Sequence, residues 1–333
     1  MLIDDVAVLK GLNELVKETF LLWDEIWVGF SWRHYYFNHT QRVRALSLEI
    51  GRCEGADLTK LQYSAVLHDI TKRYDGRVLT DSQGKRILDE NGFWRNELLM
   101  PKKENAVTRL YRELNQFGNL HNVSGALVAK NLLESYGLPS SLCSSVSSII
   151  RSHLNPGIYE DGSSPADILE KKILYEADTI DANIGLPAFY RNVQIRTHYA
   201  KAEKGRSDLE EYVSHIEPWI DGKTFFLDKI ETETGKHLAR RRLNRMRKIS
   251  RQITKELDGD SRLGLRYGLL GIIREFMDHN QDPDLQDAIS SLSNSWIPHR
   301  RKMLKSEKDP EAGLILQEAE EFCSLLLREI DGT

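Results

Sequence analysis

Apolar residues recur three and four apart through most of this chain, the spacing of helices that bury one face. Residues 6–30 carry Val8, Leu12, Leu15, Val16, Phe20 and Leu21 at that spacing and close on Trp23, Trp27, Phe30 and Trp32, which predicts a helix packed on a core. A second stripe, His39, Val43, Leu46 and Ile50, predicts a helix with His39 facing inward at its N-terminal end. Gly55-Ala-Asp57 then breaks the pattern before a helix predicted over 58–72, which runs through Ala65-Val66-Leu67 into His68-Asp69. Between 75 and 103 the period shortens. Pieces at 77–80, 86–88 and 93–95, separated by Ser82-Gln-Gly84 and Glu90-Asn-Gly92, predict a small hairpin or three-stranded flap. Helical spacing resumes after Pro101. One helix opens at His121 and ends at Tyr136-Gly137; the next has the stripe Leu142, Val146, Ile149, Ile150 and His153 and stops at Asn155-Pro156-Gly157. Another covers 166–185, and from 206 the pattern is almost wholly helical, with loops expected at Pro218, Asp258-Gly259-Asp260, Gln281-Asp-Pro283 and Asp309-Pro310. The fold class is all-α: a helical bundle with an inserted β flap and a helical C-terminal region.

Composition narrows this picture. The 333 residues are enough for one large domain or two ordinary ones, and 40% hydrophobic with 29% charged residues is the balance of a water-soluble globular chain. A net charge of −4 gives no whole-chain attraction to nucleic acid, so a nucleic-acid partner is not expected. Cys53, Cys143 and Cys323 are far apart and make neither a disulfide framework nor a zinc ribbon, which suits a reducing cytoplasm. The N-terminus lacks the basic start of a signal peptide, and no apolar run approaches the roughly 18 residues of a membrane span. A cytoplasmic protein is therefore expected, and a homo-oligomer is left open. Two basic features stand out locally. The flap and the segment after it carry Lys85, Arg86, Arg95, Lys102 and Lys103, which suit either an anionic substrate or a solvated flap. Between Lys236 and Lys255 there are nine Lys or Arg and no acid, backed by Leu238, Leu243, Met246, Ile249 and Ile253. Such a helix can meet a polyanion, a membrane surface or an acidic subunit, though a solvated helix packed by its apolar side is the commoner case.

The candidate chemistry lies in polar residues set on apolar faces. A lone inward histidine is more often a satisfied core residue than a ligand, but here His39, His68, His121 and His153 all fall at such positions. Asp69 follows His68, and Asp178 and Asp181 share one inward helical face. Buried imidazoles and carboxylates are costly unless partnered, and a metal ion partners both at once. Residues 68 and 69 of one helix point about 100° apart, so Asp69 facing the same centre as His68 suggests a carboxylate bridging two ions. Lys72, four after His68 on the predicted helix, Arg42, three after His39, and Arg191 are candidate contacts for an anionic substrate.

The ordered set His39, His68-Asp69, His121, His153, Asp178 resembles the HD superfamily of metal-dependent phosphohydrolases, over roughly residues 30–255. His39-Thr-Gln-Arg42-Val43 looks like the family's opening helix, and Leu67-His68-Asp69-Ile70-Thr71-Lys72 like its signature, with Thr71 where glycine is frequent. Glu176-Ala-Asp178-Thr-Ile-Asp181 looks like its closing motif, and Thr234-Gly-Lys-His-Leu-Ala239-Arg-Arg-Arg242 is similar to a C-terminal helix of some bacterial members. The resemblance implies an HD domain over 1–258, flap included, with 259–333 as a helical extension. It implies His39, His68, Asp69 and Asp178 as metal ligands, and His121 with His153 as the mark of a subset holding two ions bridged by Asp69. The choice of Asp178 over Asp181 comes from the resemblance alone. The expected cofactors are two divalent transition-metal ions, iron, manganese, zinc, nickel or cobalt, which acidify a water to hydroxide. Asp69 and Lys72 are then the expected catalytic residues, and the expected substrate is a small-molecule phosphate mono- or diester such as a nucleotide. The same ligand order also resembles the di-iron inositol and phosphonate oxygenases, and a regulator that merely retains a metal is the non-enzymatic alternative.

Overall fold

The computed structural model describes residues 5–28, 31–83, 85–90, 94–155, 167–306 and 310–332. Phe30, Gly84, Asn91, Gly92, Phe93, Pro156, Gly157 and Asp309, on which some expected turns and strand ends fall, lie outside them. The architecture is all-α with small β elements, as expected. By its contacts the chain divides into two compact units, Met1–Asp178 and Thr179–Thr333.

In the first unit the helices are α1 (Asp5–Phe20), α2 (Arg33–Glu54), α3 (Leu58–Leu67), α4 (Ala106–Glu113), α5 (His121–Ser135), α6 (Ser140–Ser152) and α7 (Ile168–Asn183), whose last residues pass into the second unit. Their ends follow from local chemistry. Gly55 takes a left-handed φ of 76° that closes α2, and the Asp57 carboxylate accepts the amides of Thr59 and Lys60 to open α3. Helices α2, α3 and α6 pack in series, α5 lies along α6, and α1 covers α2 and α3. Leu12, Val16, Val43, Leu46, Ile50, Val66, Val146 and Ile150 fill the space between them.

Three expectations need correction here. Helix α1 stops at Phe20, because the aromatic run beyond it forms something else: β1 (Trp27–Val28) pairs with β2 (Ser31–Trp32), and the Trp27 and Trp32 rings meet at 4.2 Å across the pair. Helix α2 begins at Arg33, so His39 stands in its second turn rather than at its head. Helix α3 ends at Leu67 rather than 72, and His68 to Thr71 form a turn leading into a 3-10 turn, Lys72–Asp75. There the amides of Ile70, Lys72 and Tyr74 bond to the carbonyls of Leu67, Asp69 and Thr71, three residues back instead of four.

The flap is three short antiparallel pieces. Strand β3 (Arg77–Val78) pairs with β4 (Asn96–Glu97), and bridges link Thr80 with Arg86 and Leu88 with Trp94. The amides of Leu79, Ile87 and Arg95 bond to the carbonyls of Arg95, Leu79 and Ile87, a closed ring that fastens the pieces together. Gly76, at φ 74°, lets the first piece meet the last, since a Cβ there would lie 1.9 Å from the Glu97 carbonyl oxygen.

The second unit holds α8 (Leu186–Lys204), α9 (Leu209–Ser214), α10 (Ile216–Gly222), α11 (Thr224–Leu227), α12 (Glu233–Asp258), α13 (Ser261–Tyr267), α14 (Leu269–Asp278), α15 (Leu285–Ser291), α16 (Ile297–Leu304) and α17 (Pro310–Ile330). Pro218, expected in a loop, sits in the first turn of α10, where its missing N–H is not needed. Helix α12 is the basic helix, and it ends at Asp258, where a loop was expected at Asp258-Gly259-Asp260. Its apolar stripe is buried, and its cations find acids within the unit: Arg245 pairs with Glu329 at 3.1 Å and Lys248 with Glu321 at 2.8 Å, both on α17. Arg242 faces inward and donates to the Glu329 carbonyl. Two cations of the basic helix are thus met by acids of α17.

Candidate metal centre

The polar cluster of the first unit gathers His39 from α2, His68 and Asp69 from the turn after α3, His121 from the start of α5, His153 from the end of α6 and Asp178 from α7. Two histidines are set by the same local device. His68 and His153 each stand as the C-cap of their helix, where backbone carbonyls have lost their helical donors. The Nδ1 of His68 bonds to Ala65 O at 2.8 Å and that of His153 to Ile150 O at 2.6 Å. A carbonyl only accepts, so Nδ1 carries the proton and Nε2 offers its lone pair to the cluster. His121 is held similarly, its Nδ1 donating to Asp75 Oδ2 at 2.5 Å.

Asp69 lies between two sets of imidazoles. Its Oδ2 is 3.8 Å from His39 Nε2 and 3.7 Å from His68 Nε2, while its Oδ1 is 3.3 Å from His121 Nε2 and 3.7 Å from His153 Nε2. Asp178 Oδ1 joins the first set, 3.1 Å from His39 Nε2 and 3.9 Å from His68 Nε2. Donor atoms sharing one ion at bond lengths near 2.1 Å stand about 3 to 3.5 Å apart, close to this spacing. The Nε2 atoms of His68 and His153 are buried without a hydrogen-bond partner, which is costly in the bare protein and is relieved by an ion. The residues present therefore fit one ion in each set, with Asp69 common to both.

The electrostatics agree with a cation-binding centre. Burial pushes His68 down to about 4, so its ring is neutral and ready to ligate at neutral pH. Burial, with the ammonium of Lys72 beside it, also lowers His121, against the pull of Asp75. Burial opposes ionisation of Asp69 and Asp178, but the facing imidazoles, and Lys72 at Asp69, outweigh it and hold both below the usual carboxylate range.

The remaining candidates are placed differently. Lys72 is not one helical turn beyond His68, because the helix has ended. It lies in the 3-10 turn, and its ammonium donates to His121 Nε2 at 2.9 Å. Burial works against its charge, yet Asp69, Tyr36, Asp75 and Asp178 outweigh burial and raise it, so Lys72 is a cation at neutral pH. Arg42 is buried with its guanidinium 4.9 Å over the Tyr35 ring. Arg191 stands on α8 in the second unit, close enough to Lys223 to help lower that lysine, which burial brings down to about 8. On the flap, Arg86 lies over Trp94 at 4.2 Å, and just after it Lys102 pairs with Asp24 at 3.0 Å. Sequence reasoning missed Asp75, the anchor of His121; its only signal was an acid at the end of the turn that follows the His-Asp pair. It also missed what Thr71 does where glycine is frequent: its hydroxyl bonds to His121 O at 3.2 Å and lies 2.8 Å from Ser124 Oγ, tying the turn to α5.

Comparison with known proteins places a name on this region. Residues 36–183 match the family model of the HD domain. Among solved structures the chain is similar to Bacillus subtilis YpgQ in its selenomethionine form, at 18% identity over 77% of this chain and 99% of that one, with a TM-score of 0.43. The structure of Bacillus subtilis YpgQ in complex with ADP is similar at 19% identity over 76% and 96%, with a TM-score of 0.40. No curated protein matches the chain.

Proposed function

We propose that this protein hydrolyses a phosphate mono- or diester of a nucleotide or similar small metabolite in the cytoplasm, a reading supported by the match of residues 36–183 to the HD domain, a fold of metal-dependent phosphohydrolases. The observation that carries the reading is the Asp69 carboxylate, whose two oxygens each face a separate pair of histidine Nε2 atoms. In this proposal His39, His68, Asp69 and Asp178 hold one divalent ion and Asp69, His121 and His153 a second. Such ions supply Lewis acidity to a phosphoryl oxygen and acidify a water.

The chain's own residues do the rest. Asp69 and Asp178, kept ionised, fix the charge of the centre, while the backbone carbonyls behind His68 and His153 and the carboxylate behind His121 hold each ring in one tautomer. Lys72 now occupies the lone pair that His121 would give to an ion. One lone pair serves one partner, so were His121 Nε2 given to an ion, the Lys72 ammonium would be left free, close to the centre, to meet a phosphoryl oxygen. Arg42 and Arg191 are secondary candidates for the same contact. The reading assigns the functional domain to 1–258 and an accessory role to 259–333. It is tested by metal analysis of anaerobically purified protein, followed by phosphate release from nucleotides and aryl phosphates. About two ions per chain with phosphate release is the expected result. Two irons, no phosphate release and oxygen uptake would overturn it in favour of the di-iron oxygenase.

A further inference from the structure

Nine Lys or Arg and no acid lie between Lys236 and Lys255, all on α12. At 3.6 residues per turn, Lys236, Arg240, Arg247, Arg251 and Lys255 fall within about 100° of one another around the helix. Arg240, Arg251 and Lys255 are exposed, and Lys236 and Arg247 are half-buried. The far side, with Leu238, Met246, Ile249 and Ile253, is buried, and that packing holds the basic face toward solvent. Lys236 pairs with Glu233 and Lys248, at the border of the face, with Glu321. The side chains of Arg240, Arg247 and Arg251 make no ion pair or hydrogen bond among the described residues. Like charges one turn apart repel and weaken a helix. A solvated helix gains nothing from that arrangement, whereas a surface that meets a row of anions does.

The chemistry of the face selects its partner. No apolar residue, Tyr, Phe or Trp is exposed on α12 between Lys236 and Lys255. The face therefore has no anchor of the kind that holds a protein interface, no wedge to enter a lipid layer, and no aromatic platform on which bases stack. It offers a row of cations about 22 Å long from Arg240 to Lys255 at 1.5 Å per residue. A nucleic-acid strand is the complementary row, with a phosphate about every 3.4 Å of axis in duplex DNA. We propose that the solvent face of α12 binds the phosphate backbone of a nucleic-acid strand through Arg240, Arg247, Arg251 and Lys255, irrespective of base sequence. The chain's net charge of −4 does not oppose this, because salt confines the field of each charge to about 8 Å and the attraction is local. The face lies in the second unit and uses none of the candidate metal ligands, so the proposal stands whether the metal centre proves to be a hydrolase or an oxygenase.

The test is fluorescence anisotropy of labelled oligouridylate and oligothymidylate titrated with the full chain, with and without a chelator. Both strands are expected to bind in the micromolar range at low salt, and four phosphate contacts set the slope of log affinity against log salt at about −3. The triple variant Arg240→Gln, Arg247→Gln, Arg251→Gln is expected to bind about tenfold more weakly or worse, with a slope nearer about −1 and unchanged circular dichroism. Arg240→Lys, Arg247→Lys, Arg251→Lys is expected to bind as the parent does, since a backbone contact needs the charge. Removing as much charge from the flap, by Lys85→Gln, Arg86→Gln and Arg95→Gln, is expected to leave affinity unchanged. Tighter binding of one strand supports the proposal and names the sugar of the natural partner. Absence of binding at micromolar concentration overturns it, as does affinity that the glutamine triple on α12 leaves untouched or that the flap variant lowers equally. Binding lost on chelation also overturns it, because the strand would then sit at the metal centre. Phosphatidylglycerol vesicles bound more tightly than either strand would overturn it in favour of a membrane surface.

Discussion

At the scale of single residues, two kinds of hold keep the histidines in place: a helix's own spare carbonyl for His68 and His153, and a carboxylate for His121. The ligands themselves matter most. Asp69→Asn removes charge from both sets at once, and metal analysis is expected to find both ions lost; retention of two ions would refute the bridging role. Asp75→Asn leaves the ligands intact but weakens the hold on His121, and by analogy with other outer ligands it is expected to cost about 10–100-fold in metal affinity at the second set. The pH dependence follows from His68. Its value in the folded protein is about 4 against 6.5 for a free imidazole, so between those values the unfolded chain binds more protons and stability rises with pH. The stability is fully present above about 6.5 and lost as pH falls toward 4, by about 3 kcal/mol in the metal-free protein. Urea unfolding of the chelated protein across that range measures it, and His68→Gln should flatten the slope.

At the scale of elements, the expectation from hydrophobic spacing held where one face of a helix is buried and failed where aromatics or polar ligands interrupt it. The stripe through α2 and the stripe through α6 were legible because 3.6-residue periodicity and burial coincide. The end of α3 was not, since no glycine or proline marks it: the turn is made by the side chain of His68 and by amides that shift to nearer carbonyls. The flap depends on one backbone position. Gly76→Ala places a Cβ against the Glu97 carbonyl at a φ of 74°, and it is expected to detach β3 from β4. Limited proteolysis should then cut within 77–97 at least several times faster than in the parent chain; an unchanged rate would mean that the ring at Leu79, Ile87 and Arg95 suffices alone. In the second unit, burial raises Glu256 to about 7 although it accepts the Leu269 and Leu270 amides. The folded state binds the extra proton there, so this contribution to stability falls as pH rises from about 4.5 to 7. It opposes the trend at His68, and hydrogen exchange of α12 to α14 against that of α2 to α3 separates the two.

At the scale of the molecule, the candidate ligands come from five segments spread from residue 39 to 178, so an ion bound among them would tie together the first unit. Metal at a hundred times its dissociation constant stabilises a single-site protein by about 2.7 kcal/mol. Hydrogen exchange is accordingly expected to slow in α2, α3, α5 and α6 when manganese is added to chelated protein. Slowing confined to Thr179–Thr333 would place the ions elsewhere. At the same scale, acids on α17 meet two cations of the basic helix, Arg245 and Lys248.

The sequence by itself determined the helical class, the flap, and which buried histidines and acids, in their order, are candidate ligands, because periodic burial and the cost of stranded polar groups are written into residue spacing. Tertiary structure alone decided the rest. Which imidazole shares which oxygen of Asp69, that Lys72 rests on His121, and that Asp75 anchors the other nitrogen of that ring all depend on separate segments of the chain meeting within a few ångströms. Spacing along a chain carries no such information: it fixes which face a residue occupies, whereas packing fixes what lies opposite.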